Sequence, residues 1–165
     1  FQVGNRDFAL GQRFLKQFNG CILPEVDTLK IGDIQIRLEH GDLLCTDDVS
    51  YQKFRKIIRN PLLLGFLKSM PLSFRQKLAN GFRKKSAETK QVKSYKIMDV
   101  NQQAVEQSLQ TVDVLIHGHT HRPNIHNENG KSRIVLGDWR EHEAQILEID
   151  SEQVHQTLEL KTWSY

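Results

Sequence analysis

Val112, Val114, Leu115 and Ile116 make an apolar run, rich in β-branched residues, that stops at His117-Gly118-His119-Thr120-His121. A run of that kind reads as a buried strand. Gly118 lets the backbone turn tightly where the strand ends, so His119 and His121 can aim their imidazoles into the same space beyond it. Neutral imidazole is the commonest side-chain ligand for a transition metal; the alternative is three unrelated histidines on a surface loop. Two further places share the design. Ile34-Gln35-Ile36-Arg37-Leu38 alternates like a half-buried strand and runs into His40-Gly41-Asp42, and the chain opens on Phe1-Gln2-Val3-Gly4-Asn5-Arg6-Asp7. Three strand ends therefore each deliver a metal-competent group beside a glycine. In α/β folds ligands gather outside the carboxyl ends of strands.

Length and composition suit one ordinary domain. The chain has 165 residues, 38% of them apolar and 26% charged, enough for a real core. No run approaches the ~18 apolar residues of a membrane span, and no secretory signal pattern is present. Cys21 and Cys45 lack CxxC spacing and read as buried or half-buried thiols of a reducing compartment.

The net charge of +3 hides an asymmetry. Residues 53 to 93 hold twelve Lys or Arg and one acid, Glu88, against eleven basic and nineteen acidic residues elsewhere. That cationic stretch is also apolar: Leu63, Phe66, Leu67 and Met70 repeat at helical spacing, as do Phe74, Leu78 and Phe82. Pro61 and Pro71 divide it into two short helices, with proline at or near the start of each. Two readings stay open: a helical hairpin packing its apolar face on the domain, and an amphipathic cap that touches membrane and grips an acylated, phosphorylated ligand. Nucleic acid is not expected, because Phe66, Phe74 and Phe82 fall on the apolar face and leave no stacking platform.

The remaining elements read as scaffold. Leu10, Phe14 and Phe18 at spacing four predict a helix over residues 7–18, stopped by Gly20. Asn101 caps a helix running through Gln110, with Ala104, Val105 and Leu109 inward. Residues 133–136, 144–149 and 157–163 read as short strands, the last at a sheet edge.

Gly4-Asn5-Arg6-Asp7, His40-Gly41-Asp42 and Gly118-His119-Thr120-His121 resemble the later motifs of the calcineurin-like metallophosphoesterases. Leu44-Cys45-Thr46-Asp47-Asp48-Val49-Ser50-Tyr51-Gln52, Ile97-Met98-Asp99-Val100-Asn101-Gln102 and residues 117–123 extend the resemblance to the branch that hydrolyses UDP-2,3-diacylglucosamine in lipid A biosynthesis. Arg6, where most of the superfamily has His, is diagnostic of that branch. The resemblance implies an α/β fold: a sandwich of two mixed β-sheets flanked by helices, with a helical lipid-binding cap inserted at about residues 52–93 of one domain spanning 1–165. Members begin with Asp-x-His and Gly-Asp motifs on two earlier strands. This chain starts at the third motif and lacks an N-terminal Met, so it reads as the carboxyl two-thirds of the enzyme, with N-terminal strands missing. Open sheet edges and poor solubility are expected of such a piece.

The implied chemistry is metal-assisted cleavage of a pyrophosphate to 2,3-diacylglucosamine 1-phosphate (lipid X) and UMP, by water activated between two cations. Asn5, His40 and His119 would ligate one cation and His121 the other. Mn²⁺, two per complete site, is the family's usual metal, although the same donors accept Zn²⁺ or Co²⁺. Asp42 is a plausible outer partner of a ligand imidazole. Arg6 would fork onto a phosphate and, with Asn5 and His119, form the catalytic set, the alternative for Arg6 being a salt bridge to Asp7 or Asp47. Asn5, Arg6 and His119 would also touch substrate. Asp48 and Tyr51 would contact its sugar end, and Arg83, Ser86, Lys90 and Lys93 its phosphate and amide groups. His117 is expected to face the core and His126 the surface; His142 and His155 carry no motif. The implied setting is peripheral on the cytoplasmic face of a Gram-negative inner membrane, with no obligate protein partner. A phosphoesterase acting on a soluble nucleotide and an inactive fragment that binds lipid or metal remain the alternatives.

Overall fold

Hydrophobic alternation and two tight turns build most of the sheet. The computed structural model describes residues 1–92, 97–150 and 158–164, with residues 85–92 and residue 128 described through their backbone. β1 (Val26–Ile31) and β2 (Ile34–Glu39) form an antiparallel hairpin in which Ile31 faces Ile34. Gly32 supplies the positive φ of +59° that its two-residue turn requires. β3 (Val114–His117) lies parallel to β2 and to β5 (Lys131–Val135), and β4 (Asn124–Glu128) pairs antiparallel with β5. The β4–β5 turn is Asn129-Gly130, with φ of 53° and 74°, the Asn-Gly signature of a type I′ hairpin. The strand order is β1-β2-β3-β5-β4.

Alternation on β3 divides the core. Val114 and Ile116 join Ile34, Ile36 and Ile134 on one face. Leu115 looks the other way, onto Leu44 and Val105. Val105 belongs to α5 (Gln102–Leu109), capped as expected by Asn101, whose side chain accepts from Ala104 N. The opposite face is covered by a hairpin of β6 (Glu143–Ile149) and β7 (Leu158–Ser164) through Leu147, Ile149, Leu158 and Leu160. The fold is thus mixed α/β, as expected; among the described residues the second sheet is the two-stranded antiparallel ribbon of β6 and β7.

The region between β2 and β3 is helical: α2 (Val49–Ile58), α3 (Pro61–Ser69) and α4 (Leu72–Val92). A short helix near the start, Gln12–Leu15, is α1. Asn60 caps α3, and Pro61 occupies its first turn. Pro71 precedes α4, which runs 21 residues, longer than the short helix its apolar repeat predicts. The helix expected over residues 7–18 is also corrected. Residues 5–9 form turns in which Asp7 caps Gly4 N, and only α1 and a 3₁₀ turn at Lys16–Phe18 are helical. Leu15 is the buried residue there, while Phe14 and Phe18 pack edge-to-face on the surface. No described helix is long and apolar enough to cross a membrane.

Candidate metal centre

Because β2 and β3 are parallel neighbours, their carboxyl ends lie side by side. Gly118 N donates to His40 O at 3.0 Å, stitching the two His-Gly loops together. Gly41 adopts φ +104°, and a Cβ there would stand 2.9 Å from His117 Nδ1, so only glycine fits. Past the strand end His119 and His121 both hold positive φ, 68° and 55°. Non-glycine residues in that region carry strain that surrounding structure must hold, and such residues cluster at functional sites.

The rings of His40 and His119 meet edge-on with centroids 5.1 Å apart, and Tyr51 stacks on His119 at 6.4 Å. The Gly4-Asn5 motif closes on the same place, with one correction: residues 1–4 form no strand, their backbone pairing among the described residues being confined to Phe1 with Cys21 and Leu23. Gly4 is buried, and a Cβ on it would lie 2.5 Å from His40 Nε2. Glycine at residue 4 therefore keeps the Nε2 edge clear beside Asn5. Two imidazoles beside a cradle that a methyl group would fill, with Asn5 next in the chain, are donor types suited to a divalent first-row metal. His121 stands apart, 62% exposed, with Nδ1 3.9 Å from Asp138. Among the described residues no three His, Cys, Asp or Glu side chains converge as a metal-holding group.

Behind His40 lies a buried ionic cluster. Asp42, 1% exposed, has Oδ1 3.2 Å from His40 Nδ1. Its Oδ2 accepts from Tyr51 Oη at 2.5 Å, Arg55 Nε at 3.0 Å and Arg59 Nη2 at 3.2 Å. Burial by itself would raise this carboxyl's pKa. The contacts from His40 and Tyr51 and the charges of Arg55 and Arg59 outweigh it and hold Asp42 well below the usual carboxylate range. Burial and the bond to Asp42 push the Tyr51 phenol up in turn. Glu25 spans the two arginines from outside, at 3.0 Å from Arg55 and 2.5 Å from Arg59.

His117, the last residue of β3, faces the core as expected. It is 1% exposed, its Nδ1 lies 3.0 Å from Gly118 O, and burial lowers its pKa to about 4. His126 sits half-buried on β4 rather than on the open surface expected for it, because β4 is a paired strand. Asp48 is 8% exposed and caps α2, accepting from Tyr51 N at 2.9 Å. Arg6 is exposed; Asp7 is engaged by Gly4 N and Asp47 by Asn101. Arg83 is exposed on α4. Ser86 and Lys90 lie on α4 where only backbone is described, and Lys93 lies outside the described residues. Cys45 is buried and Cys21 exposed, a correction to the expectation of two buried or half-buried thiols.

Four residues escape the sequence reading. Asp138 follows Gly137 at the end of β5, a fourth strand end with a glycine and a ligand-type side chain. Arg55, Arg59 and Glu25 were visible only as part of a charge count.

The chain is 47% identical over 152 residues to UDP-2,3-diacylglucosamine hydrolase of Haemophilus influenzae strain PittGG, covering 91% of this chain and 64% of that one. The enzymes of the same name from Neisseria meningitidis serogroup C and Serratia proteamaculans are each 44% identical, over 92% and 93% of this chain and 64% and 66% of their own. The curated homologues of the chain are UDP-2,3-diacylglucosamine hydrolases. The chain spans a little under two thirds of the length of these hydrolases. No protein-family model matches it. Among solved structures, the chain is similar to an archaeal phosphodiesterase over 99% of this chain and 67% of that one at 15% identity, with a TM-score of 0.47.

Proposed function

We propose that the chain carries part of the catalytic centre of a hydrolase that cleaves the pyrophosphate of UDP-2,3-diacylglucosamine to lipid X and UMP in lipid A biosynthesis. The observation that carries this reading is the meeting of His40 and His119 against Gly4-Asn5 at the adjoining ends of β2 and β3. The homologues' shared name supplies the substrate.

Asn5, His40 and His119 would hold one divalent cation and His121 would serve a second, with Mn²⁺ the metal proposed. When bound, a cation pair polarises a phosphoryl oxygen and lowers the pKa of attacking water. The chain's own contribution is placement. Asp42 faces His40 Nδ1, which fixes the ring and leaves Nε2 for ligation. Arg6, exposed at the Gly4-Asn5 turn, is free in reach to fork onto the diphosphate and offset its charge. UMP leaves as a phosphate monoester and needs less proton assistance than an alkoxide.

The cap would take the lipid. Leu62, Phe66, Leu72 and Phe74 are exposed on α3 and α4 among basic residues, a composition that suits an anionic membrane interface. Arg83, Ser86, Lys90 and Lys93, with Asp48 and Tyr51 below, are proposed to bind the phosphate, amide and sugar groups. The setting is the cytoplasmic face of the inner membrane, without an obligate protein partner.

The test is Mn²⁺-dependent release of UMP from UDP-2,3-diacylglucosamine in detergent. It is run on this chain and on a version extended at its amino end to the length of the homologues. Release by the extended chain that disappears in His119→Ala is the expected result. Cleavage of a soluble nucleotide but not of the lipid would overturn the substrate and keep the phosphoesterase.

A further inference from the structure

Arg59 ends α2, where its side chain is 10% exposed. Its guanidinium reaches three acceptors that are distant in sequence. Nη2 donates to Gly4 O at 3.1 Å and to Asp42 Oδ2 at 3.2 Å, and Nη1 donates to Glu25 Oε1 at 2.5 Å. Gly4 immediately precedes Asn5, and Asp42 lies two residues past His40 and faces its ring. One side chain thus spans the two loops that bring the Asn5 and His40 donors together.

We infer that Arg59 is a positioning residue: it locks the Gly4-Asn5 loop to the His40-Gly41-Asp42 loop and ties both to the first helix of the cap region. This inference rests on the metal-site reading above and adds to it a residue that touches neither cation nor substrate.

Three features support it. Tyr51 and Arg55 on α2 and Arg59 at its C-cap stand one turn apart, and all three donate to the same Asp42 oxygen, so a polar row stands at the very point where the helix meets the loops. A planar guanidinium holds several acceptors in fixed directions, which an ammonium group cannot do. Glu25 anchors Arg59 and Arg55 together from the segment before β1, so the fork has little freedom to turn. Gly4 tolerates no displacement, since the space between it and His40 Nε2 is already narrower than a methyl group. A loop released from Arg59 would drift relative to His40, and ligand spacing would loosen. Outer partners that orient ligands typically alter metal affinity by about 10–100-fold.

The experiment titrates Mn²⁺ into the wild-type chain and Arg59→Lys, following free Mn²⁺ by electron paramagnetic resonance, with thermal melting in parallel. Lysine keeps a cation beside Asp42 and Glu25 but cannot also bond Gly4 O in the same geometry. Expected is a loss of Mn²⁺ affinity of about tenfold, with the substrate KM of the extended chain unchanged at saturating Mn²⁺. Lys56→Gln removes an exposed cation from the same helix and leaves affinity unchanged. Arg59→Lys with wild-type affinity overturns the inference while the metal site stands. If Arg59→Lys does not fold, Glu25→Gln is read in the same way, with a smaller loss expected and none overturning the inference. A wild-type chain that takes up no Mn²⁺ sinks the metal-site reading, and the inference with it; one that binds Mn²⁺ without yielding an active extended chain sinks only the substrate.

Discussion

The strand-end region and the α3–α4 region are built on opposite principles. Around the ends of β2 and β3, Leu44, Cys45, Asp42 and His117 are all at most 2% exposed, and the polar groups among them have partners. On α3 no residue is buried, and Leu62 is 84% exposed. The first region is held by burial and by ionic contacts in low dielectric. The second keeps helical backbone through its Asn60 cap and Pro61 while leaving its apolar side chains in water. A site that must hold ligand atoms in place needs the first kind of construction. A surface that meets flexible acyl chains needs only apolar area and cations. In the proposed enzyme that contrast would separate chemistry from lipid capture.

The sharpest way to break this comparison is at the donors. His119→Ala in the extended chain should abolish more than about 99% of UMP release while lowering the melting temperature little, since metal ligands act as a unit with the ion they hold. A comparable loss from Leu62→Ala would show that the cap shares in the chemistry. Stability should divide the regions next. Leu115→Ala removes a fully buried side chain from between β3 and α5 and should cost about 2–5 kcal/mol in urea unfolding. Leu62→Ala should stay within about 0.5 kcal/mol of wild type. Lipid capture should show the reverse. Leu62→Glu combined with Phe66→Glu should weaken binding to anionic vesicles about tenfold and raise KM for the lipid substrate, with kcat unchanged.

The thiols offer the smallest and cleanest contrast. Burial, with the nearby Asp42 carboxylate behind it, pushes the Cys45 thiol up to about 12, and the thiolate is the reactive form. At pH 9 Cys21 should therefore label with iodoacetamide while Cys45 stays unmodified until urea unfolds the chain. Above pH 9 the unfolded thiol ionises and the folded one does not, so this group withdraws stability as pH rises toward 12.

Much of the site was legible because each of its parts is local. A glycine beside a His or Asn needs no distant residue to announce itself, and three such pairs pointed to His40, His119 and Asn5, two of them at the ends of β2 and β3. α5 was legible for the same reason, since Asn101 caps it with its own side chain. The helix expected over residues 7–18 failed because spacing alone could not reveal that Asp7 bonds back to Gly4 N. That competing local bond holds the start of the segment in turns. β1 and β4 were passed over although Gly32-Asp33 and Asn129-Gly130 marked their turns, because polar residues such as Asp27, Asn124 and Asn127 obscured the alternation.

By itself the amino-acid order determined that apolar strands end at His40 and at His117-Gly118-His119, that Asn101 starts α5, and that a cationic, apolar helical stretch lies between β2 and β3. These follow from backbone sterics, caps and hydrophobic period, which act over a few residues. Only the tertiary structure decided which strand ends meet. The parallel pairing of β2 with β3 sets His40 against His119 across some eighty residues of chain, and Arg59 reaches back to Gly4 and Asp42. Such contacts depend on register and on burial of charge, neither of which any short stretch of sequence contains.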